Sequence, residues 1–340
     1  MTEMISSSIR EVAIPLKGAA AAKDALIDAM RGARIVLIGE ASHGTREFYR
    51  ERAEITKRLI RDLGFNFVAV EADWPDAFRI NRFVKNQSDD RDAEEALSDF
   101  RRFPAWMWRN REVAAFIGWL HDFNQRRPEP AAGFYGLDLY SLYASIEAVI
   151  DYLEGTDPAL AQAARMRYGC FDQFEREPQA YGLSVEYAGL DSCEEDAVRQ
   201  LIEMQRLSAS QASREGPRMD EEAFFAEQNA RLVKNAERYY RAMYRSDALS
   251  WNVRDEHMAE TLDALILFHE RYSPNPKAVI WAHNSHVGDA RATQMSRRGE
   301  LNIGQLMKQR YGAAAFAIGF TTHAGTVTAA TGAIRASRDR

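Results

Sequence analysis

Residues 34–45 read Arg34-Ile35-Val36-Leu37-Ile38-Gly39-Glu40-Ala41-Ser42-His43-Gly44-Thr45, and the fold follows from how this stretch is read. The run 34–38 is apolar and β-branched, with no polar alternation. That is the pattern of a strand buried on both faces of a parallel sheet. Gly39 ends it, and Glu40 and His43 follow at once. Downstream, Phe48, Ile55, Leu59 and Leu63 recur at helical spacing, with Gly64 as a stop, which predicts a helix over 46–63. A second buried run, 67–70, leads into Glu71. Strand, helix and strand make a βαβ unit with a right-handed crossover.

Three further runs repeat the pattern. Residues 134–137 precede Asp138, residues 278–282 precede His283, and residues 315–320 precede Thr321. A sixth strand is read at 326–329. Helices are expected at 114–123, 142–153 and 255–272. Residues 159–244 are helical in pattern and dense in charge, with a polar loop at 208–219. The expected class is α/β: three layers, α/β/α, with a mostly parallel central sheet and a large helical insertion. In domain terms, 1–150 and 250–330 form the α/β core that carries the active site, 151–249 a helical insertion or cap, and 331–340 an atypical tail.

Hydrophobic residues make up 46% and charged residues 28%, as in a globular chain with a sizeable core. A net charge of -6 argues against nucleic acid or an anionic membrane as the main partner. Residues 1–17 lack the apolar core of a signal peptide, and no run reaches the length of a membrane span. The two cysteines, Cys170 and Cys193, lie far apart in no ligand spacing, which reads as unpaired thiols in a reducing compartment. A cytoplasmic enzyme for a small molecule is the expectation.

The residues that carry chemistry cluster at the strand ends. Glu40 and His43 come after the first strand, Glu71 and Asp73 after the second, Asp138 after the third, His283 and His286 after the fourth, and His323 after the fifth. Parallel strands deliver these groups to one rim, where α/β sheets bind ligands. In residues 39–45, His43 suits a general base, since its ordinary pKa lies near working pH, and Glu40 suits its partner. The competing reading has Ser42 or Thr45 capping the helix and His43 merely packing. Ser42 is a poor nucleophile, because the spacing is one residue longer than a nucleophile elbow and His43 is its immediate neighbour. Water activated by a histidine is favoured instead.

His283 and His286 either act in proton transfer or bind a divalent metal with a carboxylate such as Glu71 or Asp138. Asp73 either contributes to the site or caps the next helix, and Glu71 either lines the rim or pairs with Arg79. Asp138 either orients a histidine or caps the helix near Ser141. His121, His257 and His269 fall inside helical patterns and read as surface or packing residues. The aromatic run 103–108 either lines an apolar pocket or is plain core.

The segments 39–48, Glu71-Ala72-Asp73, 254–259 and Trp281-Ala282-His283-Asn284-Ser285-His286 together resemble the erythromycin esterase family, over roughly residues 12–330. The resemblance implies an α/β/α fold with a cleft under a helical insertion, and hydrolysis of a macrocyclic lactone ester in the antibiotic-resistance members. It implies that His43 is the base and Glu40 its partner, that Glu71, His283 and His286 line the same cleft, and that no metal or other cofactor is needed. Asp73, Asp138 and Arg254 are placed as substrate contacts. Residues 332–340 fit no family segment, so a truncated C-terminus is expected. Two other functions stay open: a metal-dependent hydrolase using His283 and His286, and a non-catalytic haem- or ligand-binding module on the same sheet with His43 or His286 as axial ligand.

Overall fold

The computed structural model of the chain describes residue 13 and residues 20–102, 104–127, 130–174, 176–211 and 217–329. The tail 331–340 lies outside them, as does most of the segment 1–17. Five strands form one parallel sheet: β1 (Ile35–Ile38), β2 (Phe67–Asp73), β3 (Gly133–Asp138), β4 (Ala278–Trp281) and β5 (Ala315–Ile318). Their spatial order is β3-β2-β4-β1-β5. Every run read as a buried strand forms one, except residues 326–329. There the β-branched threonines find no strand partner. The segment instead crosses the turn after β1, where the Thr328 amide donates to the Gly44 carbonyl.

The helices are α1 (Ala20–Ala29), α2 (Arg46–Leu63), α3 (Trp74–Val84), α4 (Ala93–Ala96), α5 (Arg111–Gln125), α6 (Leu142–Thr156), α7 (Pro158–Tyr168), α8 (Pro178–Ala188), α9 (Glu194–Gln211), α10 (Pro217–Ala242), α11 (Asp247–Glu270), α12 (Asn284–Val287) and α13 (Ile303–Tyr311). The polar loop read at 208–219 is narrower than expected, because α9 runs through Gln211 and α10 starts at Pro217.

Period-two alternation divides each strand between two cores. Ile35, Leu37, Phe67, Ala69 and Ile280 face one side, where α6 to α11 and α13 pack. Val36, Ile38, Val68, Val70 and Trp281 face the other, against α2, α3 and α5. Helices therefore cover both faces, and the helical stretch between β3 and β4 shares a continuous core with one of them.

Cys170 and Cys193 are disulfide-bonded, with Cα atoms 6.0 Å apart. This corrects the expectation of unpaired thiols. The two cysteines flank α8, and the turn into and out of that helix returns the chain to the same spot, which sequence spacing alone does not reveal. The bond removes the argument for a reducing compartment. No helix among the described residues is long and apolar enough to cross a membrane.

The sheet order fixes where a site forms. β1 and β4 are neighbours, and their connections diverge. From β1 the chain runs through α2 on one face toward β2, whereas from β4 it runs through α13 on the other face toward β5. Right-handed crossovers in opposite directions require opposite faces. The crevice between those two carboxyl ends is a topological switch point, the usual ligand site of such sheets. Register levels the rim: Ile38 and Val70 both pair with Trp281, so the next residues of all three strands emerge side by side.

Candidate active site

The turn after β1 can form only with glycine at two points. A Cβ on Gly39 would collide with Asn284 and Val287 of α12, and Gly44 has φ +84°, a left-handed conformation costly for other residues. α12 is held against this turn by the Asn284 amide, which donates to the Glu40 carbonyl at 2.9 Å. Side chains from residues 40–43 and 283–286 are thereby locked together.

His43 Nδ1 lies 2.8 Å from Glu40 Oε1. Glu40 is 1% exposed, and its other oxygen faces the fully buried Arg52 guanidinium at 3.1 Å. That contact is an ion pair without hydrogen-bond alignment, since Glu40 Oε2 and the guanidinium nitrogens lack well-directed partners. Arg52 is instead clamped over the rings of Tyr49 and Trp281, 4.7 and 5.2 Å from their centroids. Glu40 is therefore held as an acceptor, His43 carries its proton on Nδ1, and the Nε2 lone pair is left without a hydrogen-bond partner among the described residues. The His43 side chain is 32% exposed and lines the cleft. Burial pulls its pKa down, but the Glu40 hydrogen bond and the Glu71 charge outweigh it, so the pKa is raised above the ordinary 6.5. The packing-only reading of His43 does not describe this arrangement. Ser42 and Thr45 bond each other at 2.7 Å, and Thr45 makes no side-chain cap.

The other two histidines differ from His43. His283 Nε2 is 3.1 Å from the Ala41 carbonyl, which can only accept, so Nε2 carries the hydrogen. Nδ1 then accepts from Ser285 Oγ at 2.8 Å and from the Ser285 amide. Both nitrogens are in use, and His283 acts as a brace between the β1 and β4 turns. Its ring centroid lies 5.3 Å from that of His43. His286 is buried under the Trp251 ring, with Nδ1 about equally close to both oxygens of Asp255, at 3.0 and 2.9 Å. Its Nε2 takes a 3.1 Å contact from Arg254, which requires a lone pair there and hence a neutral ring. Burial lowers its pKa, whereas Glu71 and Asp255 raise it more. Protonation at Nε2 would turn it toward Glu71 Oε1, 3.5 Å away.

Arg254 is the hub. Nε and Nη2 grip Asp138 at 2.9 and 2.7 Å, and Nη2 also reaches Glu71 Oε1 at 2.7 Å. Glu71 Oε2 accepts the His283 amide at 2.7 Å. Burial resists ionisation of both carboxylates. For Glu71 the neighbouring His286, Arg254 and His43 prevail, and for Asp138 Arg254 prevails, so both pKa values are lowered. Of the two readings of Glu71, the rim position describes it and the Arg79 pair does not, and neither reading of Asp138, orienting a histidine or capping a helix, describes its contacts. Arg79 binds Asp90 and Asp99, and Asp138 binds Arg254 and the Leu139 amide. Asp73 opens α3 without capping it, and accepts from Arg102 at 2.9 Å.

A cleft of about 210 Å³ opens on this rim, walled by His43, Glu71, Asp73, Asp76, Asp138, Arg102, Tyr140 and Arg254. Phe100, Pro104, Ala105, Met107 and Trp108 form its apolar side, so the aromatic run lines the pocket and also packs, Trp108 donating from its indole to the Glu71 carbonyl. Phe103 lies outside the described residues. Of the nine residues singled out from the sequence, Glu40, His43, Glu71, Asp138, Arg254, His283 and His286 meet in one contact network, and Asp73 joins them at the cleft wall. His323 is exposed, and no contact among the described residues ties it to them. His121, His257 and His269 stack or pack, as expected. Arg52 and Asp255 were missed. The available signal was a charge on the buried stripe of a helix, with Arg52 among Tyr49, Ala53 and Thr56 and Asp255 among Met258, Ala259 and Leu262.

Neither His283 nor His286 offers a free lone pair to a cation, and no group of three or more histidine, cysteine or carboxylate side chains among the described residues has metal-holding geometry.

The erythromycin esterase family model matches residues 60–339, beginning after the Glu40–His43 turn. Erythromycin esterase type II of Escherichia coli is 22% identical over 87% of this chain and 70% of its own length. The putative hydrolase YbfO of Bacillus subtilis is 21% identical over 87% of this chain and 66% of its own length. A crystal structure described as a succinoglycan biosynthesis protein superposes with a TM-score of 0.68 at 21% identity, over 93% of this chain and 74% of that one. An erythromycin esterase mutant in its open conformation gives 0.58 at 18% identity, over 87% and 72%. At these identities the structural likenesses establish the fold.

Proposed function

The chain belongs to the erythromycin esterase family, and from that premise we propose that it hydrolyses an ester or lactone bond of a small molecule with water activated by His43. The observation that carries this reading is the state of the His43 imidazole. Nδ1 is tied to a buried carboxylate, Nε2 has no hydrogen-bond partner among the described residues, and the ring lines the cleft. Water placed against Nε2 gives up its proton there as its oxygen attacks the carbonyl carbon. The imidazolium so formed is stabilised by Glu40 at 2.8 Å and by the field of Glu71. Arg254 keeps one guanidinium N–H beyond the four contacts it makes, and this N–H together with the fixed positive charge offers stabilisation to an oxyanion at the cleft wall.

Histidine-activated water is favoured over the metal-dependent alternative because both lone pairs that a His283–His286 metal site would use are committed to protein partners. Ester hydrolysis by wild type and His43→Ala tests the proposal, with a macrolide lactone and simple esters as substrates. A loss of about 10²-fold or more is expected, and equal rates would overturn it.

A further inference from the structure

Taking the hydrolytic reading as its basis, we infer that Asp76 is the proton donor to the leaving alcohol, acting within the cleft that His43 lines. His43 makes the nucleophile, but its proton-bearing Nε2 faces the attacking water. A second group in the same cleft that can deliver a proton would relieve the alkoxide as the C–O bond breaks. Asp76 meets that need by position. It sits in the first turn of α3, half-buried on the wall of the same cleft that His43 lines. Its carboxyl has no hydrogen-bond partner among the described residues, whereas Glu71, Asp73 and Asp138 are each tied to an arginine. Asp73 keeps one oxygen unpaired but buried, whereas both oxygens of half-buried Asp76 are without a hydrogen-bond partner among the described residues.

Its surroundings keep a proton on it. Burial, then the Asp73 and Asp99 carboxylates, push its pKa up to about 7, against Arg102 and Arg101. The α3 N-terminus favours the anion, and a first-turn acid serving that helix alone is the competing role. The two carboxyls at the start of α3 differ in consequence. Burial raises the pKa of both, but Asp73 is anchored by the Arg102 hydrogen bond, whereas Asp76 feels Arg102 only as a charge and is the group left to carry the proton.

The step balances. Water loses H⁺ to His43 Nε2 and its oxygen bonds the carbonyl carbon. The tetrahedral intermediate collapses with cleavage of the C–O bond, and the departing oxygen takes H⁺ from Asp76. The proton on His43 then returns to the Asp76 carboxylate through solvent in the open cleft, leaving acid and alcohol.

The test compares 4-nitrophenyl butyrate, whose leaving group needs no proton, with ethyl butyrate, whose leaving group does. For Asp76→Asn we expect kcat on ethyl butyrate to fall about 10²-fold or more, kcat on 4-nitrophenyl butyrate to change less than about threefold, and the alkaline descending limb of kcat/KM near pH 7 to vanish. His43→Ala loses both substrates. Equal losses on the two esters in Asp76→Asn, or no loss on either, would overturn the inference while leaving the His43 reading intact. Full activity of His43→Ala, or a wild type that hydrolyses neither ester, would overturn the hydrolytic reading and this inference with it. Asp76→Glu, which restores a carboxyl, should recover part of the ethyl butyrate rate, and no recovery would mark Asp76 as a helix-terminal residue only.

Discussion

Arg254→Met removes the cation at the centre of the network while keeping most of the apolar stem. In wild type the guanidinium makes three charge-assisted contacts of 2.7 to 2.9 Å to the buried carboxylates of Asp138 and Glu71, with its own side chain 13% exposed. Removing one partner of a buried pair costs about 3–5 kcal/mol, because the remaining charge stays desolvated and uncompensated. Glu71 retains the His283 amide and a neighbouring His286 that can charge. Asp138 retains the Leu139 amide and the more distant Arg102. These partial replacements place the expectation near the middle of the range, about 4 kcal/mol. With a urea slope of about 3 kcal/mol/M, that is a midpoint lower by about 1.3 M at pH 7.5. The sign of the pH dependence comes from linkage. In wild type both carboxyls have lowered folded pKa values, so their contribution is present above the unfolded carboxyl range and lost as pH falls through the folded values. Without Arg254 those folded values rise, the variant binds protons at higher pH, and the gap to wild type narrows on acidification toward pH 5. Urea melts at both pH values measure this. A gap under 1 kcal/mol at pH 7.5, or one that is constant with pH, would refute the hub assignment.

Three further outcomes concern other parts of the chain. Cys193→Ser should lower stability by about 2–4 kcal/mol, since the bond closes a loop of 23 residues in sequence separation, and unfolded wild type should show reactive thiols only after reduction. Gly39→Ala forces a Cβ onto Asn284 and Val287, so a loss of about 1–3 kcal/mol in thermal unfolding is expected, together with reduced activity from a displaced α12. His269 is buried against Phe67, and burial pulls its pKa down to about 3. Its neutral form therefore supports folding above the unfolded value near 6.5, and that support drains as pH falls toward 3. His269→Phe should flatten the acid limb of stability between those limits.

The sheet was legible because strands buried on both faces leave a local signature, an unbroken apolar run ending in a glycine or a charged residue. β1 and β4 show it plainly. β2 ran longer than expected, since a register shift between Val70 and Asp73 carries pairing past Glu71. Residues 326–329 have strand composition, but pairing depends on a neighbouring edge and no local pattern reports one. The rim residues were legible through strand ends. Their division of labour was not, because Arg254 meets Glu71 across 183 positions and Asp138 across 116. The same holds for the two histidine dyads. Glu40 and His43 are three residues apart and readable, whereas His286 finds Asp255 31 residues back on α11. His283, close to His286 in sequence, looked like its metal-binding twin and is instead a brace set by Ala41 and Ser285.

The hydrolytic chemistry stands on one imidazole, and nitrogen-15 NMR of histidine-labelled protein reads its state directly. His43 should appear as the Nδ1–H tautomer with an unprotonated Nε2, titrate with a midpoint above 6.5, and shift to a lower midpoint in Glu40→Gln. A proton on Nε2 in the neutral ring, or a midpoint below 6.5 that Glu40→Gln leaves unmoved, would contradict it.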